Sequence, residues 1–226
     1  MAKQKSTKED PLKVDEALAT SETFLLKYKN IILGTIAGIV VLVCAVLGYK
    51  NFISDPREQK ADEALFRSQQ YFSADMYEQA LNGDSIGNVG FLYVADKYGS
   101  TAAGKLANAY AGLSYAQLGK YEEAIKYLDK FSADDYFISP ALLGTMGNCY
   151  AQLGQLDKAA ATLLKAANAA DSPSLSPTYL IQAGQLLEKL GKNSEAVEAY
   201  KTVKDKYSNS YQSMEIDKYI ERASTK

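Results

Sequence analysis

The stretch "AGLSYAQLGKYEEAIKYL", from Ala111 to Leu128, returns about thirty-five residues later as "MGNCYAQLGQLDKAAATL", from Met146 to Leu163. Both copies contain YAQLG, and both have an alanine five residues after the glycine. A third, weaker copy, "EKLGKNSEAVEAY", starts at Glu188. The glycines of the three copies lie at positions 119, 154 and 191, so they are spaced by 35 and 37 residues. A period of this length is typical of solenoids built from stacked structural repeats.

The copies share an internal order: a small residue, an aromatic residue three positions later, and then Ala-x-x-x-large. The third copy departs from it at Leu187, where the other two have tyrosine. Small residues let two antiparallel helices approach closely, and large residues fill the remaining space between them. We therefore predict three helical hairpins, near residues 105–138, 140–173 and 177–210, in which the small first-helix residue and the alanine of the second helix lie at the crossing. The residues in phase are Gly112, Tyr115, Ala124 and Leu128; Gly147, Tyr150, Ala159 and Leu163; and Gly184, Leu187, Ala196 and Tyr200.

The same pattern predicts the turns within the hairpins, the loops between them and the segments on either side of the three repeats. We expect Gly119, Gly154 and Gly191 to end the first helix of each pair in a left-handed cap. A degenerate or elongated hairpin is expected over residues 64–81, where Ser68 and Asp75 replace the two glycines. Loops are expected at residues 82–90 and 171–177. An amphipathic stretch at residues 211–223 is expected to cover the open end of the stack.

A second strong signal is "IILGTIAGIVVLVCAVLGY", Ile31 to Tyr49, which has 19 residues and no charge. At about 1.5 Å per residue it nearly spans a bilayer core of about 30 Å. A buried core helix fits less well, because the stretch has no polar face. A cleavable signal peptide also fits less well, because thirty residues precede the run and no A-x-A follows it. A lipoprotein site at Cys44 would need a small residue where Val43 stands. The expected segments are a tail (1–30), a transmembrane helix (31–49) and a repeat domain (50–226).

Gly34 and Gly38 form a G-x-x-x-G pattern within the apolar run. In a membrane helix this pattern allows close contact with another helix. The pattern is also common by chance in glycine-containing spans, so a second interpretation is that neither glycine has a partner.

The composition argues against enzymatic catalysis. The chain has no histidine, the commonest general base and metal ligand, and it lacks Walker, G-x-S-x-G and dinucleotide-binding motifs. We therefore expect no enzymatic activity, no cofactor and no metal. The formal net charge of −2 argues against nucleic acid as a partner, which requires a concentrated basic surface. Binding to other proteins remains as the function.

The three hairpins resemble tetratricopeptide repeats, which implies an all-α solenoid that binds proteins. The whole chain, with its charged tail, single span and repeat domain ending in "KYSNSYQSMEIDKYIERA", also resembles the bacterial ancillary subunit of the Sec translocon. That resemblance implies a single-pass inner-membrane protein with a cytoplasmic N-terminus and a periplasmic repeat domain. It implies as partners translocon subunits, periplasmic chaperones or secreted polypeptides. Charges near the span do not decide the orientation, because lysines and arginines lie on both sides.

When the chain is aligned with the tetratricopeptide-repeat pattern, which we call the repeat frame, the first helix of each pair is predicted to line a concave groove. The expected groove amides are Gln117, Asn148, Gln152 and Gln185. Other expected positions are Ala109, Leu113, Ala116, Gly144, Ala151, Ile181, Glu188 and Lys189. The family's carboxylate-clamp subtype needs several lysines or arginines in the groove. We do not expect it here, because Lys189 is the one cation on the frame and Glu188 precedes it.

Three hypotheses about the role follow. The first is an adaptor at the translocon, and the second is a structural scaffold in envelope assembly or cell division. The third is a receptor of the mitochondrial import type, which the lysine-rich tail ahead of the span disfavours. The first two differ only in their partner.

Overall fold

The computed structural model describes residues 11–131 and 137–225, and every regular element in those ranges is helical. Residues 1–10 of the expected tail and residues 132–136 of the first expected repeat lie outside them. Contacts divide the chain into one unit up to Pro56 and a second from Arg57 onward. The helices are α1 (Pro11–Tyr49), α2 (Asp55–Ser73), α3 (Tyr77–Asn82), α4 (Phe91–Lys97), α5 (Ala102–Gln117), α6 (Tyr121–Leu128), α7 (Ile138–Gln152), α8 (Leu156–Ala170), α9 (Ser176–Lys189), α10 (Asn193–Lys206) and α11 (Ile216–Ser224).

The first unit is dominated by α1, which a short π-helical segment, Lys50–Ser54, continues. The apolar side chains of its second half are exposed, and none of its most apolar window is buried. By length and composition, this is the one helix among the described residues that is able to cross a membrane.

The second unit is a stack of helical hairpins. α5 packs on α6, α7 on α8, and α9 on α10, while α6 contacts α7 and α8 contacts α9. Each hairpin is therefore covered by the next, which gives the continuous core of a solenoid. The predicted all-α fold is confirmed.

The three hairpin turns have the same geometry. Gly119, Gly154 and Gly191 have φ of 72°, 71° and 73°, the left-handed region that glycine adopts without steric cost. In the first of these turns the Lys120 N–H donates to the Tyr115 carbonyl at 2.9 Å, and the Gly119 N–H donates to Ala116 at 3.1 Å. This pair of bonds is the Schellman motif, and it recurs at the other two glycines. The predicted glycine caps are present.

The small residues pack at the helix crossings, and the large residues of the motif fill the space beside them. A methyl group on Gly112 would lie 2.6 Å from Leu128 Cγ, and one on Gly147 would lie 2.7 Å from Leu163 Cγ. The atoms closest to each glycine therefore belong to the large residue that ends the motif, and not to the alanine. Ala124, Ala159 and Ala196 are themselves fully buried. The reason is that a large side chain on the second helix needs the space that the missing Cβ leaves.

The weaker copy at residues 64–81 does form a hairpin, from α2 and α3. Asp75 has φ of 57° and takes the place of the turn glycine. The Met76 N–H donates to Tyr71 at 2.9 Å and the Asp75 N–H to Phe72 at 3.1 Å, so this turn is a Schellman motif as well. Ser68, in the place of the helix glycine, is fully buried. The hairpin departs from the others in its second helix, which stops at Asn82.

A loop follows α3 and separates it from α4. The Asp84 carboxylate accepts hydrogen bonds from the Tyr71 hydroxyl, from the Ile86 N–H at 2.9 Å and from the Asn88 N–H at 2.9 Å. The hydrogen bonds from Tyr71 and then from Asn88 lower the pKa of Asp84 to about 2. Arg67 donates to the Asn88 side chain at 2.8 Å, which ties the loop to α2.

The C-terminal end is covered as predicted. A 3₁₀ segment, Tyr211–Glu215, leads into α11, which packs on α10. Ile216 and Ala223 are 1% exposed and belong to the same core cluster as Tyr200. The loop after α8 is shorter than the expected 171–177. It ends before Ser176, whose hydroxyl accepts from the Ser172 N–H at 3.0 Å and donates to Ala167 at 2.7 Å.

Candidate protein-binding groove

The four predicted groove amides are all exposed, and two of them meet at one cavity. Asn148 comes from α7 and Gln185 from α9, so neighbouring repeats contribute to the same depression. Its volume is about 490 Å³. Gln117 on α5 and Gln152 on α7 do not belong to its lining. Binding of a peptide by these four amides therefore stays a prediction.

The cavity combines an apolar floor with polar walls. Its apolar lining is Ala151, Leu163 and Leu186, its amides are Asn148, Gln182 and Gln185, and its charged residues are Glu188, Lys189 and Arg222. Apolar groups favour the burial of side chains, whereas amides both donate and accept hydrogen bonds. The arrangement suits an extended peptide, whose backbone N–H and C=O groups need partners once they leave water.

Two expected groove positions belong instead to the packing between repeats. Ala109 is 2% exposed and lies in a cluster with Leu142 and Met146. Gly144 is buried, and a methyl group on it would lie 2.4 Å from the Tyr179 ring. The expectation that these positions line the groove is wrong. Both residues are small because the helix of the neighbouring repeat sits against them.

A buried acid closes one end of the cavity. The Glu188 side chain is 5% exposed, and its Oε1 accepts from the Tyr200 hydroxyl at 2.7 Å and from Arg222 Nη2 at 2.5 Å. Arg222 Nε donates to Glu188 Oε2 at 3.1 Å, so the guanidinium is held in a two-point fork. Burial of the ring, followed by the hydrogen bond to Glu188, raises the pKa of Tyr200 above its usual value. The ion pair between Arg222 and Glu188 holds α11 against α9.

Sequence reasoning missed Gln182 and Arg222. The repeat frame assigns the groove to the first helices alone, and Arg222 comes from the capping helix α11, which is not a repeat element. The repeat pattern does not assign Gln182 to the groove. Its Oε1 is buried and has no hydrogen-bond partner in the described part of the chain. A buried acceptor without a donor is costly, so it offers a place for a ligand N–H.

The remaining predicted contact site lies in the first unit. Gly34 and Gly38 have no neighbouring atom within 4 Å of where a Cβ would stand. Their contact with another helix therefore stays a prediction. Of the two cysteines, Cys44 is exposed and Cys149 is buried, and burial raises the pKa of the Cys149 thiol.

The repeats match known family models. Residues 107–131 and 140–172 match one model of the tetratricopeptide repeat, and residues 179–210 match another. These ranges fall on α5–α6, α7–α8 and α9–α10, and each begins inside the first helix of its pair. No curated protein is significantly similar to the chain. The second unit thus contains a tetratricopeptide-repeat solenoid, a kind of fold that offers an extended concave binding surface. Repeats of this family suggest a role in binding other proteins, as an adaptor or a scaffold.

Proposed function

We propose that the protein is a membrane-anchored adaptor that holds polypeptide segments in the cavity between its second and third tetratricopeptide repeats. The observation that carries this proposal is the placement of Asn148 and Gln185, from adjacent repeats, on one cavity with an apolar floor. Two amides on neighbouring repeats are suited to pair with the backbone of an extended segment. The proposal assigns the protein no catalytic activity and no cofactor.

The anchor in this proposal is the apolar half of α1. Residues 1–30 form a cytoplasmic tail, residues 31–49 cross the bacterial inner membrane, and residues 50–226 form a periplasmic domain. The uncharged run from Ile31 to Tyr49 and its exposed apolar side chains support the membrane span. The orientation rests on the lysine-rich tail and on the resemblance to the translocon subunit family.

The partners in this proposal are the Sec translocon and the polypeptides or periplasmic chaperones that meet it. The support is the order of segments, a charged tail, one span and a repeat domain. The second candidate is a scaffold in envelope assembly or cell division, which the same order of segments also suits. Docking of partners on the membrane helix at Gly34 and Gly38 is the alternative to the groove in either role.

Site-specific crosslinking in intact cells tests the proposal. A photoreactive amino acid is placed at Asn148 or Gln185 in the groove, and at Lys165 on the second helix α8 as the control. All three residues are exposed, so each probe reaches solvent. We expect polypeptide adducts from the two groove positions, with translocon subunits, chaperones or secreted chains among them. Adducts of the same identity and yield from Lys165 would contradict the groove, and adducts only with division or envelope-assembly proteins would favour the second candidate.

A further inference from the structure

The helix that carries the apolar run continues past the end of that run. After Tyr49 the chain enters the π-helical segment Lys50–Ser54 without a break, and the Asp55 N–H that follows donates to the Lys50 carbonyl. Contacts place this segment in the first unit, together with the apolar run, because that unit extends to Pro56. The surroundings of the segment therefore have to be explained together with those of the proposed membrane helix.

Two large apolar side chains in this segment are exposed. Phe52 is 79% exposed and Ile53 is 54% exposed, and Tyr49, just before the segment, is 63% exposed. The helix α2 that follows behaves differently, because its apolar residues Ala61 and Leu65 are buried in a core cluster. A contiguous group of exposed apolar side chains typically marks an interaction surface.

The place of this group along the helix suits the interfacial layer of a bilayer. The run from Ile31 to Tyr49 spans about 28 Å at about 1.5 Å per residue, close to the hydrocarbon core of about 30 Å. The polar headgroup region adds about 5–7 Å on each side of that core. One further helical turn of about 5 Å ends at Ile53. With the apolar run in the core, Phe52 and Ile53 therefore lie at the level of the headgroups.

The residue types of this turn are those that the interfacial layer favours. Tyrosine is enriched at the membrane–water interface, and phenylalanine is common on helix faces that bury themselves at the boundary between headgroups and acyl chains. A lysine lays its apolar stem along the lipid and keeps its ammonium in water, and Lys50 stands between the two rings in the chain. Lipid surrounds every side of a helix that crosses a membrane, so no further protein is needed to cover Tyr49, Phe52 and Ile53.

We propose that Tyr49, Phe52 and Ile53 form an interfacial anchor, a turn of helix that inserts among phospholipid headgroups at the end of the span that precedes the repeat domain. The part of the chain in contact with lipid then ends at Ile53 and not at Tyr49. The turn holds the helix at one depth, because inward movement would remove Lys50 from water and outward movement would expose Phe52 to it. This inference rests on the proposed function, because it concerns the membrane anchor that the function requires.

Single tryptophans measure the depth of the turn, since the chain contains no tryptophan. Phe52→Trp, Ile53→Trp, Val41→Trp and Gln59→Trp are made in the full chain and reconstituted in vesicles of phosphatidylethanolamine and phosphatidylglycerol. Val41 lies within the apolar run, and Gln59 is an exposed residue of α2, seven positions after Phe52. Quenching of the fluorescence is measured with lipids brominated near the headgroup, with lipids brominated deep in the acyl chain, and with acrylamide in the aqueous phase.

We expect the Phe52→Trp and Ile53→Trp probes to be quenched most by lipid brominated near the headgroup. Their acrylamide quenching constants should be severalfold below that of Gln59→Trp, and Val41→Trp should respond most to the deeply brominated lipid. Acrylamide quenching as strong at position 52 or 53 as at 59, or shielding from acrylamide without quenching by brominated lipid, would overturn the anchor and leave the span standing. A Val41→Trp probe that no brominated lipid quenches would overturn both the span and the anchor.

Cysteine labelling repeats the test without a side chain that itself favours the interface. Phe52→Cys and Gln59→Cys are compared in a Cys44→Ala background, in which the remaining native cysteine, Cys149, is buried. We expect a membrane-impermeant maleimide to label the Phe52→Cys variant severalfold more slowly than the Gln59→Cys variant in vesicles, and at a similar rate once the chain is unfolded in detergent and urea. Equal rates in vesicles would overturn the anchor.

Discussion

The Tyr200 ring fills the space that a side chain on Gly184 would need: a methyl group on the glycine would lie 2.4 Å from Cε1 of the ring. The same relationship joins Gly147 to Leu163, one repeat earlier, at 2.7 Å. Because Tyr200 also donates to Glu188 through its hydroxyl, its position links the helix crossing of the third repeat to the end of the groove. Packing within a repeat and the shape of the binding surface are therefore coupled.

The first prediction concerns this packing. Ala159→Leu or Gly147→Leu should lower the free energy of unfolding by about 1–3 kcal/mol, because each adds a side chain where no space remains. Ala161→Leu is the matched control, since Ala161 is exposed on the same helix as Ala159, which is fully buried. Urea unfolding followed by circular dichroism measures the difference. Equal stability of the Ala159 and Ala161 variants would show that the helix crossing is misassigned.

The second prediction concerns pH. The pKa of Asp84 is lowered from 3.8 to about 2 in the folded chain, so its charged form is favoured by folding. This contribution to stability is present above pH 4 and is lost as the pH falls from about 4 to 2. We expect Asp84→Asn to lower the melting temperature at pH 7, and the difference from wild type to shrink between pH 4 and 2.

The control for the pH series is Asp96→Asn, because Asp96 is an exposed aspartate on α4 whose side chain makes no hydrogen bond to a described residue. Melting is followed by circular dichroism on the detergent-solubilised chain. A difference between wild type and Asp84→Asn that stays constant down to pH 2 would mean that the loop carboxylate gains nothing from Tyr71 and Asn88.

The third prediction concerns orientation. Alkaline phosphatase fused after Lys226 should be active, because the enzyme folds only outside the cytoplasm, and green fluorescent protein at the same point should be dark. The reciprocal pair, fused before Met1, serves as the control. A fluorescent C-terminal fusion combined with an inactive phosphatase would reverse the proposed topology.

Much of the fold was predictable because several positions of the repeat accept only residues of one conformational or steric type. A left-handed turn needs glycine at 119, 154 and 191, and a close helix crossing needs a small residue, so both leave a clear pattern in the sequence. Asp75 shows where this reasoning weakens. It adopts the same left-handed turn without a glycine, helped by the hydrogen bond that it accepts from Tyr77 at 2.5 Å. The first hairpin was therefore visible only as a weaker copy.

The groove was predictable only in part, because it depends on contacts that no repeat position specifies. Asn148 and Gln185 followed from the frame, since one face of each first helix points to the concave side. Gly144 looked like a groove position but is covered by Tyr179 of the next repeat. Arg222 comes from a helix outside the repeat pattern, and its place at the cavity depends on the way α11 packs on α10. Long-range packing of this kind leaves no periodic signal.

The central claim is that partners are held by the groove and not by the membrane helix. The most direct test compares two double variants in one crosslinking assay in intact cells: Asn148→Ala/Gln185→Ala in the groove, and Gly34→Leu/Gly38→Leu in the span. Gln152→Ala is added as the exposed amide outside the cavity lining. Loss of two hydrogen bonds of about 0.5–1.5 kcal/mol each predicts a fall in partner recovery of about tenfold or more in the groove variant. Normal recovery in the groove variant together with loss in the span variant would contradict the account and leave the repeat domain as a spacer.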